Sequence, residues 1–234
     1  MTVTPELIAE STVRVLDHGF VALDGALASD LAVVNGARVS FNQASDEMSE
    51  RDAGLIRFLM REAHGSPFEH GYFRFIVKAP LFVVREQHRH RAGHSYNEWS
   101  GRYSKMEPEF YVPEYVRTQV GKPGAYSFEP VDEVTRDAAR KEIEDNATRA
   151  FQAYERMLEQ GVAKEVARTV LPLSTYTKYY WSCNPRSLMH FCSLRNHDAA
   201  QYEIRQYAAA AESFLERLMP VTHAAFVERG RVAP

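Results

Sequence analysis

Apolar positions recur with two different periods along this chain, and the switches between them mark off strands from helices. From Thr12 to Leu27 apolar β-formers are broken by Gly19 and Gly25, which predicts two short strands joined by a turn, then a helix over about Ser29 to Gly36. Leu55, Phe58 and Leu59 lie at helical spacing behind Glu50 and Asp52, predicting a helix from Ser49 to Ala63 that stops at His64-Gly65. Ser66-Pro67-Phe68-Glu69 has the form of a capping box with proline in its first turn, so a helical turn is expected from Ser66. Phe73, Phe75 and Val77 then alternate with Tyr72, Arg74, Ile76 and Lys78 at strand period, and Pro80 opens a helix expected to run from Leu81 to Arg89.

The stretch from Pro108 to Pro130 is aromatic and dotted with proline, and no element is assigned to it. Beyond it Ile143, Ala147, Ala150, Phe151, Tyr154 and Leu158 trace one face of a long amphipathic helix that Gly161 stops. Tyr207, Ala211, Phe214, Leu215 and Leu218 trace a second, interrupted by Pro220. Between them Ser174 to Cys183, rich in Thr, Tyr and Trp, reads as a strand, and Pro185 starts a helix to about Leu194. With no repeat, low-complexity tract or linker, residues 1–234 read as one α+β domain: a mixed or antiparallel sheet flanked by long amphipathic helices.

Composition narrows the function. No run approaches the roughly 20 apolar residues of a membrane span, and a start carrying Glu6 and Glu10 lacks a signal peptide, so a cytoplasmic protein with no membrane partner is expected. Cys183 and Cys192, the only two cysteines, sit among apolar and aromatic residues and read as packed thiols. A net charge of −3 argues against a nucleic-acid surface. Yet Arg85, His88, Arg89, His90, Arg91, His94 and Arg102 crowd one segment against only Glu86 and Glu98, which points to a small anion as ligand.

Within that segment Arg89-His90-Arg91 is followed, after eight residues, by Ser100, with Asn97-Glu98 and Gly101-Arg102-Tyr103 around it. Guanidiniums flanking an imidazole offer forked donors for phosphate or an electron-rich ring, and Glu98 offers an acceptor for a ribose hydroxyl or a base N–H. His90 and His94, with His88 nearby, have a spacing that can serve a metal on a helix, but Arg89 and Arg91 would repel a dication and Gly93 weakens a helix; no metal is expected. A module stacking RNA bases on Tyr96, Trp99 or Tyr103 is disfavoured by the acidic total.

The segment resembles the signature of flavin-dependent thymidylate synthases, with Ser95 to Ser104 as its continuation; the family more often has seven residues before the serine. His64 to His70 resembles an upstream family block, while Arg168 to Leu173 and Asn184 to Phe191, ending at Arg195, resemble two downstream stretches. The likeness covers roughly Asn35 to Met219. It implies reductive methylation of dUMP to dTMP, with 5,10-methylenetetrahydrofolate as carbon donor, NADPH as reductant and FAD between them, in a homotetramer whose sites are shared between subunits.

Carried over residue by residue, the resemblance implies that His64, Ser66, Arg89, His90, Arg91, Glu98, Asn184, Pro185, Arg186 and His190 meet the flavin. It implies that Arg89, Glu98, Trp99, Ser100, Gly101, Arg102, Arg168 and Arg195 meet dUMP, with Glu86, Gln87 and His88 beside them. The family's usual glutamine stands where this chain has Glu86, so Glu86 and its neighbour Gln87 are both candidates for that contact. Arg195 is the expected catalytic charge, because a permanent cation near uracil N3 and O4 favours the electron-rich ring. Ser100 is expected to bind phosphate rather than act as a nucleophile, and neither cysteine is expected to be catalytic.

Overall fold

The computed structural model describes residues 11–122 and 125–234. The expectation about the extreme N-terminus, Glu6 and Glu10 included, lies outside them. Strands β1 (Thr12–Val15), β2 (Gly19–Leu27) and β3 (Tyr72–Pro80) pair with β4 (His94–Glu98) and β7 (Tyr176–Cys183) in one sheet ordered β1-β2-β3-β7-β4. Every pairing is antiparallel, so the sheet is antiparallel rather than mixed. A separate hairpin, β5 (Arg117–Lys122) with β6 (Ala125–Pro130), fills part of the stretch left unassigned from sequence.

Helices α1 (Asp30–Arg38), α2 (Glu50–Arg61), α3 (Leu81–Gln87), α4 (Glu133–Glu159), α5 (Lys164–Ala167), α6 (Pro185–Arg195), α7 (Tyr202–Leu218) and α8 (Pro220–Glu228) complete the fold. Ser29 caps α1, and Ser49 forms a reciprocal capping box with Asp52 on α2. The buried face of α2 is Ile56, Leu59 and Met60, whereas Phe58 is exposed and meets the His64 ring edge-on at 5.7 Å. Ser66 does not cap its turn: the short 3₁₀ helix Ser66–Glu69 has Gly65 at its N-cap and no side-chain cap bond, with proline alone setting the entry. Helix α3 ends at Gln87, two residues earlier than expected.

The core lies between one sheet face and helices α6 and α7. Phe73, Phe75 and Val77, all inward at period two, pack with Trp181, Phe191, Tyr207 and Phe214; the Phe75 ring lies 5.0 Å from Trp181 and 5.6 Å from Phe214. A smaller cluster of Met106, Phe151, Tyr154 and Ala167 seats α4 against α5, and the Met106 amide donates to Tyr154 Oη at 3.1 Å. Cys183 and Cys192 are free and buried, and burial pushes both thiols well up. Arg117 anchors the hairpin to the rest of the fold. Arg117 makes a fork on buried Glu203 of α7, both bonds at 2.9 Å, among the rings of Tyr115, Phe128 and Tyr202.

Candidate active site

Helix α3, the turn after it and β4 bring the cationic segment beside α6. Arg195, in the last turn of α6, spends its whole guanidinium there: Nε donates to His90 Nε2 at 3.0 Å, one terminal nitrogen meets Glu86 Oε2 at 3.1 Å, and the other meets the Glu86 carbonyl at 3.3 Å. Glu86, Arg89, Arg85 and Arg195 line a cleft of about 510 Å³ with Phe82, Leu173 and Gln201. Arg85, Arg89, Arg91 and Arg168 have no carboxylate partner among the described residues, although Arg102 is held by Glu165 at 3.0 Å. Unneutralised guanidiniums around a cleft are what an anionic ligand requires.

The helical phase sends the neighbours Glu86 and Gln87 in different directions. Glu86 lines the cleft, whereas Gln87 follows Val83 by one turn, is fully buried and accepts through Oε1 from the Tyr179 hydroxyl. Gln87 is therefore turned away from the cleft that Glu86 lines. The His88 ring is tilted 54° against Tyr96 with ring centres 4.5 Å apart, and its Nε2, like Gln87 Nε2, is buried without a hydrogen-bond partner.

His90 and His94 are neutral imidazoles. Burial is the main cause and lowers each to about 4; Arg195 adds to it at His90, and His190 at both. His94 is on β4, not on a helix, and its Nδ1 accepts from the Trp181 indole at 2.9 Å, which leaves the ring proton on Nε2. Gly93, just before it, lets the chain pass close to the start of α6. It has φ +71°, and a Cβ there would lie 2.2 Å from Ser187 Oγ and 3.0 Å from Asn184 Nδ2.

Asn184 caps α6 by accepting from the Ser187 amide at 2.8 Å, and Pro185 takes the first helical position. Arg186 crosses to the upstream block, pairing with Glu69 at 2.5 Å and lying over Gly65, where a Cβ would be 2.5 Å from its guanidinium. His64 and Ser66 flank that glycine and are exposed, as is His190. Sequence blocks over a hundred residues apart thus converge on one face. The remaining candidates sit elsewhere: Glu98 accepts from Thr177 Oγ1 at 2.8 Å and, with Trp99, lines a second cleft of about 830 Å³ on the sheet. Ser100 Oγ accepts from the Arg102 amide at 3.3 Å, and Gly101 packs beside Met106 and Arg168.

Sequence reasoning missed Gln201, which lines the cleft of Arg195 and donates to Glu203 at 2.8 Å.

Guanidiniums without carboxylate partners around one cleft, with uncharged imidazoles behind them, suit an anionic ligand such as a phosphate ester. Residues 23–221 match the family model described as thymidylate synthase complementing protein, and the chain belongs to this family. It is 44% identical to the flavin-dependent thymidylate synthase of Tropheryma whipplei strain TW08/27, across 98% of each chain. It is 46% identical to the flavin-dependent thymidylate synthase of Streptomyces coelicolor, across 92% of this chain and 93% of that one. Among solved structures it is similar to a UMP/dUMP methylase from Streptomyces cacaoi bound with 5-Br dUMP, with 43% identity and a TM-score of 0.87 over 95% of this chain and 100% of that one.

Proposed function

We propose that this chain is a flavin-dependent thymidylate synthase, converting dUMP to dTMP with the methylene carbon of 5,10-methylenetetrahydrofolate and reducing equivalents from NADPH. The observation that carries the reading is the cleft in which Arg195 and Glu86 face unpaired Arg85 and Arg89. Arg195, a permanent cation, stabilises negative charge on the uracil ring and so raises the nucleophilicity of C5. Arg89, Arg168, Arg102 and the small residues Ser100 and Gly101 bind the nucleotide, its phosphate above all, and Glu98 and Trp99 complete the pocket.

The donor set on the neighbouring face fits FAD. The N-terminus of α6 and Arg186 suit its phosphates, Gly65 and Gly93 let Arg186 and the start of α6 pack closely against the neighbouring blocks, and neutral His90 and His94 can lie against an uncharged ring system without repelling it. His64, Ser66, Arg91, Asn184, Pro185 and His190 border the same surface. Bound there, the flavin supplies the hydride-accepting and hydride-donating chemistry that no side chain can.

A homotetramer with shared sites accounts for the separation of the nucleotide residues. Glu86, Arg89 and Arg195 line one cleft while Glu98 and Trp99 line another, so a nucleotide touching both sets is reached from two protomers. Exposed Leu194, Leu173, Val166 and Val170 are apolar surface that such an assembly would cover. No helix among the described residues is long and apolar enough to cross a membrane, in keeping with a cytoplasmic enzyme.

The test is an anaerobic assay of flavin-loaded protein. NADPH should bleach the flavin absorption, and dUMP with methylenetetrahydrofolate should restore it while dTMP forms; protein that binds no flavin and makes no product is not this enzyme. UMP run in parallel decides whether the 2′-hydroxyl is tolerated, a question raised by the similarity to a methylase of both nucleotides.

A further inference from the structure

Glu86 is placed where a carboxylate opposes the task assigned to its partner. Its Oε2 lies 3.1 Å from Arg195 in the cleft, so the cation meant to draw charge onto the uracil ring already has a counter-ion. The groups facing it are Arg195 from α6, Glu203 from α7, Arg85 and Arg89 from its own helix and the turn after it, and His90, whose Nε2 is committed to Arg195.

We propose that Glu86 is the proton acceptor for uracil N3, and that Arg195 exchanges it for the ring anion that results. The N3–H bond breaks and an O–H bond forms on Glu86. The negative charge passes from the carboxylate to the pyrimidine, and Arg195 changes partner. No electron is transferred, and the net charge of the cleft is unchanged, so the ring is ionised without burying an additional charge. The proposal rests on reading the chain as a dUMP methylase.

The surroundings favour this exchange. Burial, the largest influence, raises the Glu86 carboxyl above its ordinary range; Arg195 pulls it down, and Glu203 raises it further. Once the ring engages Arg195, the lowering influence weakens as the proton arrives. His90 is a poor rival, being held near 4 with its Nε2 occupied, and Gln87 cannot take a proton at all. An amide in place of Glu86 could not do so either, which makes Glu86→Gln the discriminating variant.

The test reads the N3 proton of ¹⁵N3-labelled dUMP bound to the flavin-loaded enzyme by NMR, without turnover. In the wild type the N3–H signal should be lost at neutral pH and return on acidification, as Glu86 becomes protonated and can no longer accept. In flavin-loaded Glu86→Gln the proton should stay on N3 at neutral pH, and kcat should fall on the order of 10²–10⁴ with little change in KM for dUMP. That rate should recover as pH rises, and Glu86→Asp should restore part of it at neutral pH. An N3 proton retained by the wild type at every pH, or wild-type kcat and pH profile in Glu86→Gln, would overturn the proposal. Wild-type enzyme that makes no dTMP would instead sink the functional reading.

Discussion

Replacing Arg195 by Ala removes three hydrogen bonds at once, to His90, to the Glu86 carboxylate and to the Glu86 carbonyl. Two effects follow with different pH signatures. The first is on rate: loss of one preorganised donor to developing charge typically costs about 2.7–4 kcal/mol, so kcat for dTMP formation should fall on the order of 10²–10³. The second is on stability. Glu86 is left in a partly buried place without its cation, a penalty of roughly 1–3 kcal/mol when the carboxylate is ionised. Its carboxyl is already raised by burial and rises further without Arg195. A carboxyl whose folded pKa lies above the unfolded value contributes stability that is present below the unfolded pKa and lost as pH rises through the folded one. The variant should therefore lose more stability relative to wild type at pH 8 than at pH 5. Relief of the repulsion between Arg195 and protonated His90 acts in the same direction, favouring the variant at low pH. Urea unfolding at the two pH values measures this, beside single-turnover assays. Wild-type kcat, or a loss of stability as large at pH 5 as at pH 8, would refute the reasoning.

Other outcomes follow from the same geometry. Gly93→Ala must hold a side chain at φ +71° and 2.2 Å from Ser187 Oγ, so it should cost at least about 1–3 kcal/mol and weaken flavin retention, measured by the bound flavin absorbance after gel filtration. Arg117→Ala leaves the buried Glu203 carboxylate without its fork, and chemical denaturation should show about 3–5 kcal/mol lost; a change below 1 kcal/mol would contradict the anchoring of the hairpin. His90 and His94, each lowered to about 4, contribute stability that is present above their unfolded pKa of 6.5 and lost as pH falls toward 4. The double variant with His90→Phe and His94→Phe should flatten the acid limb of the stability profile over that range.

Elements whose burial follows a simple period were legible in the sequence, and those shaped by their neighbours were not. Phe73, Phe75 and Val77 alternate because one face of β3 meets the core. His94–Glu98 carries no such pattern; His-Ser-Tyr-Asn-Glu becomes a strand because β7 offers it an edge. The β5–β6 hairpin was invisible because most of its positions are exposed and its anchor, Arg117, finds Glu203 at a separation of 86 residues. Within the site, motif likeness singled out Arg89, His90, Arg186 and Arg195 as candidates, but not which side chains each would meet. That Glu86 rather than Gln87 lines the cleft was readable in principle, since Gln87 falls in phase with buried Val83. Convergence of His90 with Arg195, 105 residues apart, needed the fold.

The central claim is that methylation rests on flavin and on the charge of Arg195, with no protein thiol adding to uracil. The most direct test is dTMP formation by the Cys183→Ala, Cys192→Ala double variant, assayed with NADPH, dUMP and methylenetetrahydrofolate, with and without FAD. Because both thiols are buried and pushed far above their ordinary range, the variant should keep turnover within a few-fold of wild type and remain strictly flavin-dependent. Abolished turnover in a folded, flavin-loaded variant, or dTMP made without flavin, would contradict the account.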